Sequence, residues 1–423
     1  MLQSDPCSTP DLIPFEQALA LLLSSATREL NVVSVPLWQA LARVTSLAYR
    51  SPVDVPNFDN SAMDGFALHV DDIATITPAK SFELIGRSMA GKPFNGQCKQ
   101  GQCVRIMTGA VIPDECNAVV MQEKATTKSP YELGTQISFD INEVTAGQNI
   151  RPKGNDIRQG ELLFEAGHRL KSADLGLLAS LGLHEIKVFA PLKIAVFSSG
   201  DELVLPGTPL TEGKIYDSNR ITTIALLSEL GFEVIDLGIL PDDPDVIAKA
   251  LQAASLKADV IITSGGVSVG EADYLKETVE RLGKLSLWKI AMKPGKPFAF
   301  GNIDNCYFLG LPGNPVSSMV TLMQLGLPFL RKLQGQTLSS PKTFSATLHQ
   351  KIRKSPGRKD FQRAIIQLDN EGEWLAEPLV NQNSGVLSSM SRANGFILLP
   401  ADSESMDKGA KVKVQLFSDL IDS

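Results

Sequence analysis

The stretch that decides the fold runs from Ser264 to Pro315. It holds three glycine- and proline-rich turns: Ser264-Gly-Gly-Val-Ser-Val-Gly-Glu-Ala-Asp273, Lys293-Pro-Gly-Lys-Pro297 and Leu311-Pro-Gly-Asn-Pro315. A short apolar run precedes each: Asp259-Val-Ile-Ile-Thr263, Ser286-Leu-Trp-Lys-Ile290 and Cys306-Tyr-Phe-Leu309. Such runs read as buried strands. Open α/β sheets bind ligands beyond the carboxyl ends of their strands. Glycine there permits positive φ and lets backbone N–H groups approach an anion closely. The stretch predicts a phosphate- or oxyanion-handling cleft assembled from several loops.

Outward from these turns, strands and helices alternate across Lys193–Gly335, the pattern of a mostly parallel sheet. The expected strands are Leu192–Phe197, Phe232–Leu237, Val260–Thr263, Leu287–Ile290 and Tyr307–Leu309. The expected helices are Asn219–Leu230, Pro244–Leu256, Ala272–Leu282 and Pro315–Leu333. Asp243-Pro244 and Asn314-Pro315 each set a capping side chain before a proline at the first helical position. Upstream, Asp11–Arg28 reads as an amphipathic helix with Pro14 in its first turn, and Lys171–Leu181 as a helix closed by Gly182. Ser51–Ala67 reads as a long ordered loop, and Lys80–Gln148 as all-β. From about Ser339 short strands return, at Phe344–Leu348, Phe361–Leu368, Gly395–Leu399 and Lys411–Leu416, which suggests a small C-terminal β domain or barrel.

With 423 residues, the chain is long enough for three or four domains of ordinary size. Its 43% apolar and 21% charged residues fit a folded, soluble protein. No apolar run approaches the roughly 18 residues of a membrane span. No Lys or Arg precedes Arg28, so a signal-peptide n-region is missing and a cytosolic location is expected. The net charge of −7 argues against general nucleic-acid binding. One segment departs from that balance: Arg281–Ile303 contains no acid but holds Arg281, Lys284, Lys289, Lys293 and Lys296. Five widely spaced cysteines without a C-x-x-C pair point to reduced thiols. Cys98, Cys103 and Cys116 are near one another in sequence, but without a nearby histidine they make a poor zinc set.

Two kinds of group should meet at the carboxyl edge of the sheet. Asp201, Glu202, Asp242, Asp243, Glu271 and Asp273 are carboxylates, and Mg²⁺ prefers hard oxygen ligands together with substrate phosphate. Lys289, Lys293 and Lys296 are cations suited to phosphate or an oxyanion. A metal flanked by lysines is what phosphoryl chemistry needs, because both offset charge on the phosphate oxygens. Each residue also has a plain structural use: Asp242 or Asp243 as a helix cap, Asp273 in a first helical turn, Lys289 at a strand end. The chain has no P-loop, dinucleotide fingerprint, nucleophile elbow or zinc helix.

Taken together, the motifs resemble the MoeA family, molybdopterin molybdenumtransferases that include the C-terminal domain of gephyrin. The likeness runs from about Asp11 to the end. Pro56-Asn-Phe-Asp-Asn-Ser-Ala-Met-Asp64-Gly-Phe-Ala resembles the family's N-terminal signature. Arg105-Ile-Met-Thr108-Gly-Ala and Ala118-Val-Val-Met-Gln-Glu123 are similar to its β domain. Ser199-Gly-Asp-Glu202-Leu, Ile215-Tyr-Asp-Ser-Asn-Arg220 and Pro356-Gly-Arg358-Lys-Asp-Phe361 resemble its later domains. Phe66 stands where Tyr is common, and Ser199 where Thr is common.

The resemblance implies a multidomain α/β plus β fold in four parts: a helical domain from 1–55 and 150–190, a β-rich domain at 56–149, an α/β domain at 191–335 similar to the pathway's adenylyltransferase, and a β barrel at 336–423. It implies a homodimer with a shared cleft. The implied reaction takes adenylylated molybdopterin and molybdate, cleaves the pyrophosphate link with Mg²⁺ as cofactor, and releases AMP as the dithiolene binds molybdenum. Asp64 and Thr108 would reach the cleft from the partner subunit. Glu202, Asp242 and Asp273 would be metal or adenylate-side carboxylates. Lys289 and Lys293 would hold phosphate or molybdate, with Arg358 and Ser384 closing the anion pocket. Asp156, Ser264, Gly265, Gly266, Lys296, Pro312, Gly313 and Asn314 would complete the ligand-binding loops. The pathway's molybdopterin adenylyltransferase is a further expected partner. Two other readings stand beside this one: a molybdopterin adenylyltransferase, and a gephyrin-like scaffold that needs no carboxylates.

Overall fold

The computed structural model describes residues 12–75, 81–139, 144–265 and 274–422. Glu271, Asp273, Gly266 and most of the Ser264–Asp273 turn lie outside the described residues. The chain forms two compact units. One holds residues 48–165 and 172–184; the other holds 12–47, 166–171 and 185–422.

The smaller unit is built on a five-stranded sheet in the order Ala118–Met121, Gly65–Leu68, Gln102–Ile106, Ser81–Ser88 and Gln136–Ser138. Along Ser81–Ser88 the most buried positions recur at every second residue, as the period of a strand requires. Phe66, Leu84 and Ile137 pack on one face, and Ala67, Val104 and Val119 on the other. Gly65 is required by a close approach: a Cβ there would meet the Val120 carbonyl oxygen at 2.1 Å.

The larger unit contains the α/β sheet, in the order Glu233–Leu240, Lys193–Ser199, Val260–Ser264, Cys306–Leu311, Pro297–Ile303 and Lys284–Lys289. The first four strands are mutually parallel. All of Val260–Ser264 is buried, as expected for a strand covered on both faces. Helices Ser218–Glu229 and Pro315–Thr321 cover one face through Leu227 and Val320; Pro244–Ser255 and Tyr274–Leu282 cover the other through Leu251 and Val279.

Several expectations need correction. Pro297–Ile303 is a strand that the motif pattern hid, because prolines and glycines bracket it. It runs antiparallel to both neighbours and separates Lys284–Lys289 from Cys306–Leu311. The helix expected at Pro315–Leu333 changes at Leu322–Gly326 into a π segment before resuming at Leu327–Leu333. Pro328 explains the change, since it lacks an N–H and crowds the carbonyl four residues back. The first helix is shorter than expected, Phe15–Ser25, and Pro14 sits at its N-cap. In the segments read as helical, the described residues also form strands Val32–Pro36 and Glu185–Phe189, which pair antiparallel.

Near the C-terminus, strands Lys359–Leu368, Trp374–Pro378, Phe344–Leu348, Lys411–Leu416 and Gly395–Leu399 close on themselves as a five-stranded barrel. Trp374–Pro378 is a strand beyond the four expected from the sequence. Ala364, Ile366, Ile397 and Val414 fill the interior. Met292–Lys293 adds to the barrel as a two-residue strand parallel to Lys359–Asp360.

Candidate active site

Three of the parallel strands deliver their carboxyl ends to one cavity of about 310 Å³, lined by Ser199, Glu202, Asp217, Asn219, Ser264, Gly265, Gly313 and Gly385 among others. Gly265 has a φ of +97°, and a Cβ there would stand 3.2 Å from the Ser199 carbonyl oxygen. Its N–H donates to the Leu311 carbonyl at 3.1 Å, drawing the starts of the first and third turns together. Asn219 Nδ2 donates to the Gly313 carbonyl at 2.7 Å. Ser198 Oγ lies 3.2 Å from Ser264 Oγ and donates to Asp217 Oδ1 at 3.0 Å.

Asp217, which lines the cavity, and Arg220, which bonds to Asp217, lie inside the Ile215–Arg220 motif, but the sequence pattern does not single them out. They are 1% and 4% exposed. Asp217 caps helix Ser218–Glu229, accepting from Arg220 N, and takes Arg220 Nε at 2.7 Å. Arg220 Nη1 also reaches Asp236 at 2.6 Å. The signal was an Asp followed three residues later by Arg at a helix start, with its second acceptor on a different strand.

Around the cavity mouth, the Asp201 N–H donates to Asp242 Oδ2 at 3.3 Å and the Asp242 N–H to Asp201 Oδ1 at 3.4 Å. Asp242, Asp201 and Glu202 are exposed, so their oxygens are open to ligands. Asp243 has the plain role, capping Pro244–Ser255 by accepting from Asp245 N and Val246 N. Asn314 holds the N-cap position of Pro315–Thr321 but makes no side-chain cap bond, contrary to expectation. Pro312 lies between Leu311 and Gly313 in the same turn.

The lysines do not line this cavity. Lys289 ends the edge strand, two strands and so roughly 10 Å from Cys306–Leu311. Lys293 pairs with Asp360 in the barrel, and the Lys296 carbonyl accepts from Ile290 N at 2.8 Å. The pairing creates a cationic seam. Asp360 is buried, and that burial raises its carboxyl pKa although Gln362, Lys293, Lys354 and Arg363 act to lower it. Lys354 is also buried, and burial, with Lys293 and Arg358 close by, pushes its pKa down. Its Nζ donates to the Ser355 carbonyl at 2.9 Å. Arg358 lies on the wall of a larger, mainly apolar cavity of about 1190 Å³, with Phe15, Leu398 and Met406.

Ser384 approaches from the barrel side, its carbonyl accepting from Val316 N at 3.0 Å in the first turn of Pro315–Thr321. Arg363, only 1% exposed, holds that loop by donating from Nη2 to the Asn383 carbonyl at 3.2 Å and from Nε to Ser389 Oγ at 3.1 Å. Nothing local in the sequence signals this support, because Arg363 lies some twenty residues before the loop.

In the smaller unit, Asp64 Oδ1 accepts from Thr108 N at 2.7 Å and Thr108 Oγ1 at 2.8 Å. The backbone bond and the hydroxyl bond hold the Asp64 carboxyl below its ordinary range. Arg105 Nη1 donates to the Gly65 carbonyl at 2.7 Å and lies over the Phe66 ring. Asp156 is exposed, and its N–H donates to the Val55 carbonyl at 2.9 Å.

Family models match the chain in three segments: the MoeA N-terminal region (domains I and II) at 13–182, a probable molybdopterin binding domain at 195–332, and the MoeA C-terminal region (domain IV) at 345–417. A molybdopterin molybdenumtransferase of Haemophilus influenzae is 42% identical over 411 residues, covering 97% of this chain and 100% of that protein. One from Nostoc is 31% identical over 387 residues, covering 90% and 87%. The crystal structure of a molybdopterin biosynthesis MoeA protein from Pyrococcus horikoshii superposes with a TM-score of 0.80 at 28% identity, over 96% of this chain and 100% of that one. The chain therefore belongs to the MoeA family.

Proposed function

We propose that this chain, a transferase of molybdenum-cofactor biosynthesis, inserts molybdate into adenylylated molybdopterin with Mg²⁺-assisted release of AMP. The observation that carries the reading is the oxygen-rich cavity where Glu202, Asp217, Gly265 and Gly313 meet at the strand ends. Backbone N–H groups and small residues there suit a phosphate-bearing nucleotide. Among the described residues no three metal-ligating side chains form a cage. Glu202 and the facing Asp201–Asp242 pair nevertheless fit a Mg²⁺ ion carried with substrate phosphate, which is commonly held by one or two carboxylates. Such an ion would offset charge on the phosphate oxygens.

Glu202 and Asp242, with Asp273, orient the adenylate side. Lys293, Arg358 and Ser384 hold molybdate, and Lys289 and Lys296 add positive field. In a homodimer of four-part subunits, Asp64 and Thr108 serve the partner's cleft; the Thr108 donors keep Asp64 ionised.

The test is incubation of the purified chain with adenylylated molybdopterin, molybdate and Mg²⁺. AMP should appear in step with cofactor able to activate an apo-molybdoenzyme, and chelation of divalent ions should abolish both. Adenylylation of molybdopterin from ATP without molybdate would replace this reading with the adenylyltransferase one. Absence of both reactions would favour a scaffold.

A further inference from the structure

The Lys293-Pro-Gly-Lys296 turn lies against a buried hydroxyl. Lys293 is exposed, while Pro294 and Gly295 are buried. Gly295 has a φ of +105°, and a Cβ there would collide with Thr321 Oγ1. Glycine is therefore what lets the turn backbone close over that side chain. Thr321 is wholly buried at the end of helix Pro315–Thr321, and Val320 and Leu322 beside it belong to the main apolar core. Its Oγ1 has no hydrogen-bond partner among the described residues. A hydroxyl so placed is costly, because burial removes water and nothing replaces it. Valine, nearly the same shape, would carry no such cost.

The same short helix reaches the other parts of the candidate site. Pro315, its first residue, lines the cavity beside Gly313, and the Val316 N–H donates to the Ser384 carbonyl at 3.0 Å. Directly beyond Thr321 the helix widens into the π segment Leu322–Gly326, a feature frequent at functional sites. Thr321 itself lines no part of the cavity.

We propose, resting on the function proposed above, that Thr321 is a positioning residue for the lysine turn. Its hydroxyl bonds the Pro294–Gly295 backbone when an oxyanion draws Lys293 and Lys296 inward, and so fixes the spacing of the two cations. The hydroxyl costs stability in the free protein and is satisfied in the loaded one. Stability and function therefore pull in opposite directions at this residue.

The test is calorimetric titration of the full-length protein with sodium molybdate and, separately, with AMP, beside urea unfolding of the ligand-free protein. Thr321→Val should weaken molybdate binding about 5-fold, the scale of one net hydrogen bond. It should leave AMP affinity unchanged and hold or raise the urea midpoint. Thr321→Ser keeps the hydroxyl and should bind molybdate as the wild type does. Lys293→Ala removes a cation of the turn and tests the underlying reading. Molybdate binding weakened by Lys293→Ala but not by Thr321→Val would overturn the proposal and leave that reading standing. Equal losses of molybdate and AMP affinity in Thr321→Val, the mark of general damage to packing, would also overturn it. So would a lower urea midpoint in Thr321→Val, because the hydroxyl would then already be satisfied in the free protein. No molybdate binding by the wild type, or binding indifferent to Lys293→Ala, would overturn both.

Discussion

The cavity at the ends of Lys193–Ser199, Val260–Ser264 and Cys306–Leu311 and the seam where Lys293 meets Asp360 differ in charge and in construction. Glu202, Asp217 and three glycines give the cavity oxygen ligands and open backbone. Lys293, Lys354, Arg358 and Arg363 surround or flank a single buried Asp360 at the seam. The cavity comes from turns inside one α/β region. The seam exists because two residues of that region pair with a barrel strand more than sixty positions later. The difference teaches that one chain can present two unlike charged environments, and under the proposed function the work divides between them: a carboxylate rim for the cation that accompanies one anion, and a cationic seam for the other.

The sharpest way to break the comparison is to remove each side separately. Asp242→Asn is expected to lower AMP release about 100-fold at limiting Mg²⁺, with partial recovery as Mg²⁺ rises, since altered ligand sets commonly cost 10–100-fold in metal affinity or activity. Lys293→Ala should instead raise the molybdate concentration needed for half-maximal turnover and leave the Mg²⁺ dependence unchanged. If both variants shift the same titration, the division of labour is wrong.

A second measurement asks whether the smaller unit serves the same chemistry. Asp64→Ala and Asp242→Asn, each strongly impaired alone at limiting Mg²⁺, should regain part of the activity when mixed subunits exchange. No recovery, with exchange shown by mass, would remove the cross-subunit role.

Arg220→Ala tests the floor of the cavity. It strips the partner from buried Asp217 and should destabilise the larger unit by about 3–5 kcal/mol in urea unfolding. A loss under 1 kcal/mol would show that the pair is dispensable to the cavity wall.

The smallest effect belongs to Asp64. Its folded pKa lies below the unfolded value of about 3.9, so its contribution is present above that pH and is lost as pH falls through the folded pKa. Asp64→Asn should therefore flatten the acid limb of the stability curve below about pH 4, measured by the unfolding midpoint. An unchanged limb would discount the Thr108 bonds.

Much of this was legible because it is local. Gly265 follows a buried apolar strand, Asp243 precedes Pro244, and Gly182 stops a helix with a φ of +77°. Turn chemistry and periodicity act within a few residues, so the strand-end loops and their carboxylates could be read directly. The Asp64 and Thr108 motifs were legible only through family resemblance, since nothing local says that a carboxylate and a threonine so far apart will bond.

The chain's own order of residues determined which segments become strands, which loops carry glycine, and which carboxylates stand at strand ends. Tertiary structure alone decided that Pro297–Ile303 slots between two strands, that Lys293 pairs with Asp360, and that Arg363 steadies the Ser384 loop. Each of these rests on a contact between distant segments. Its energy comes from pairing, burial and packing across the fold, and a local pattern carries no trace of the partner.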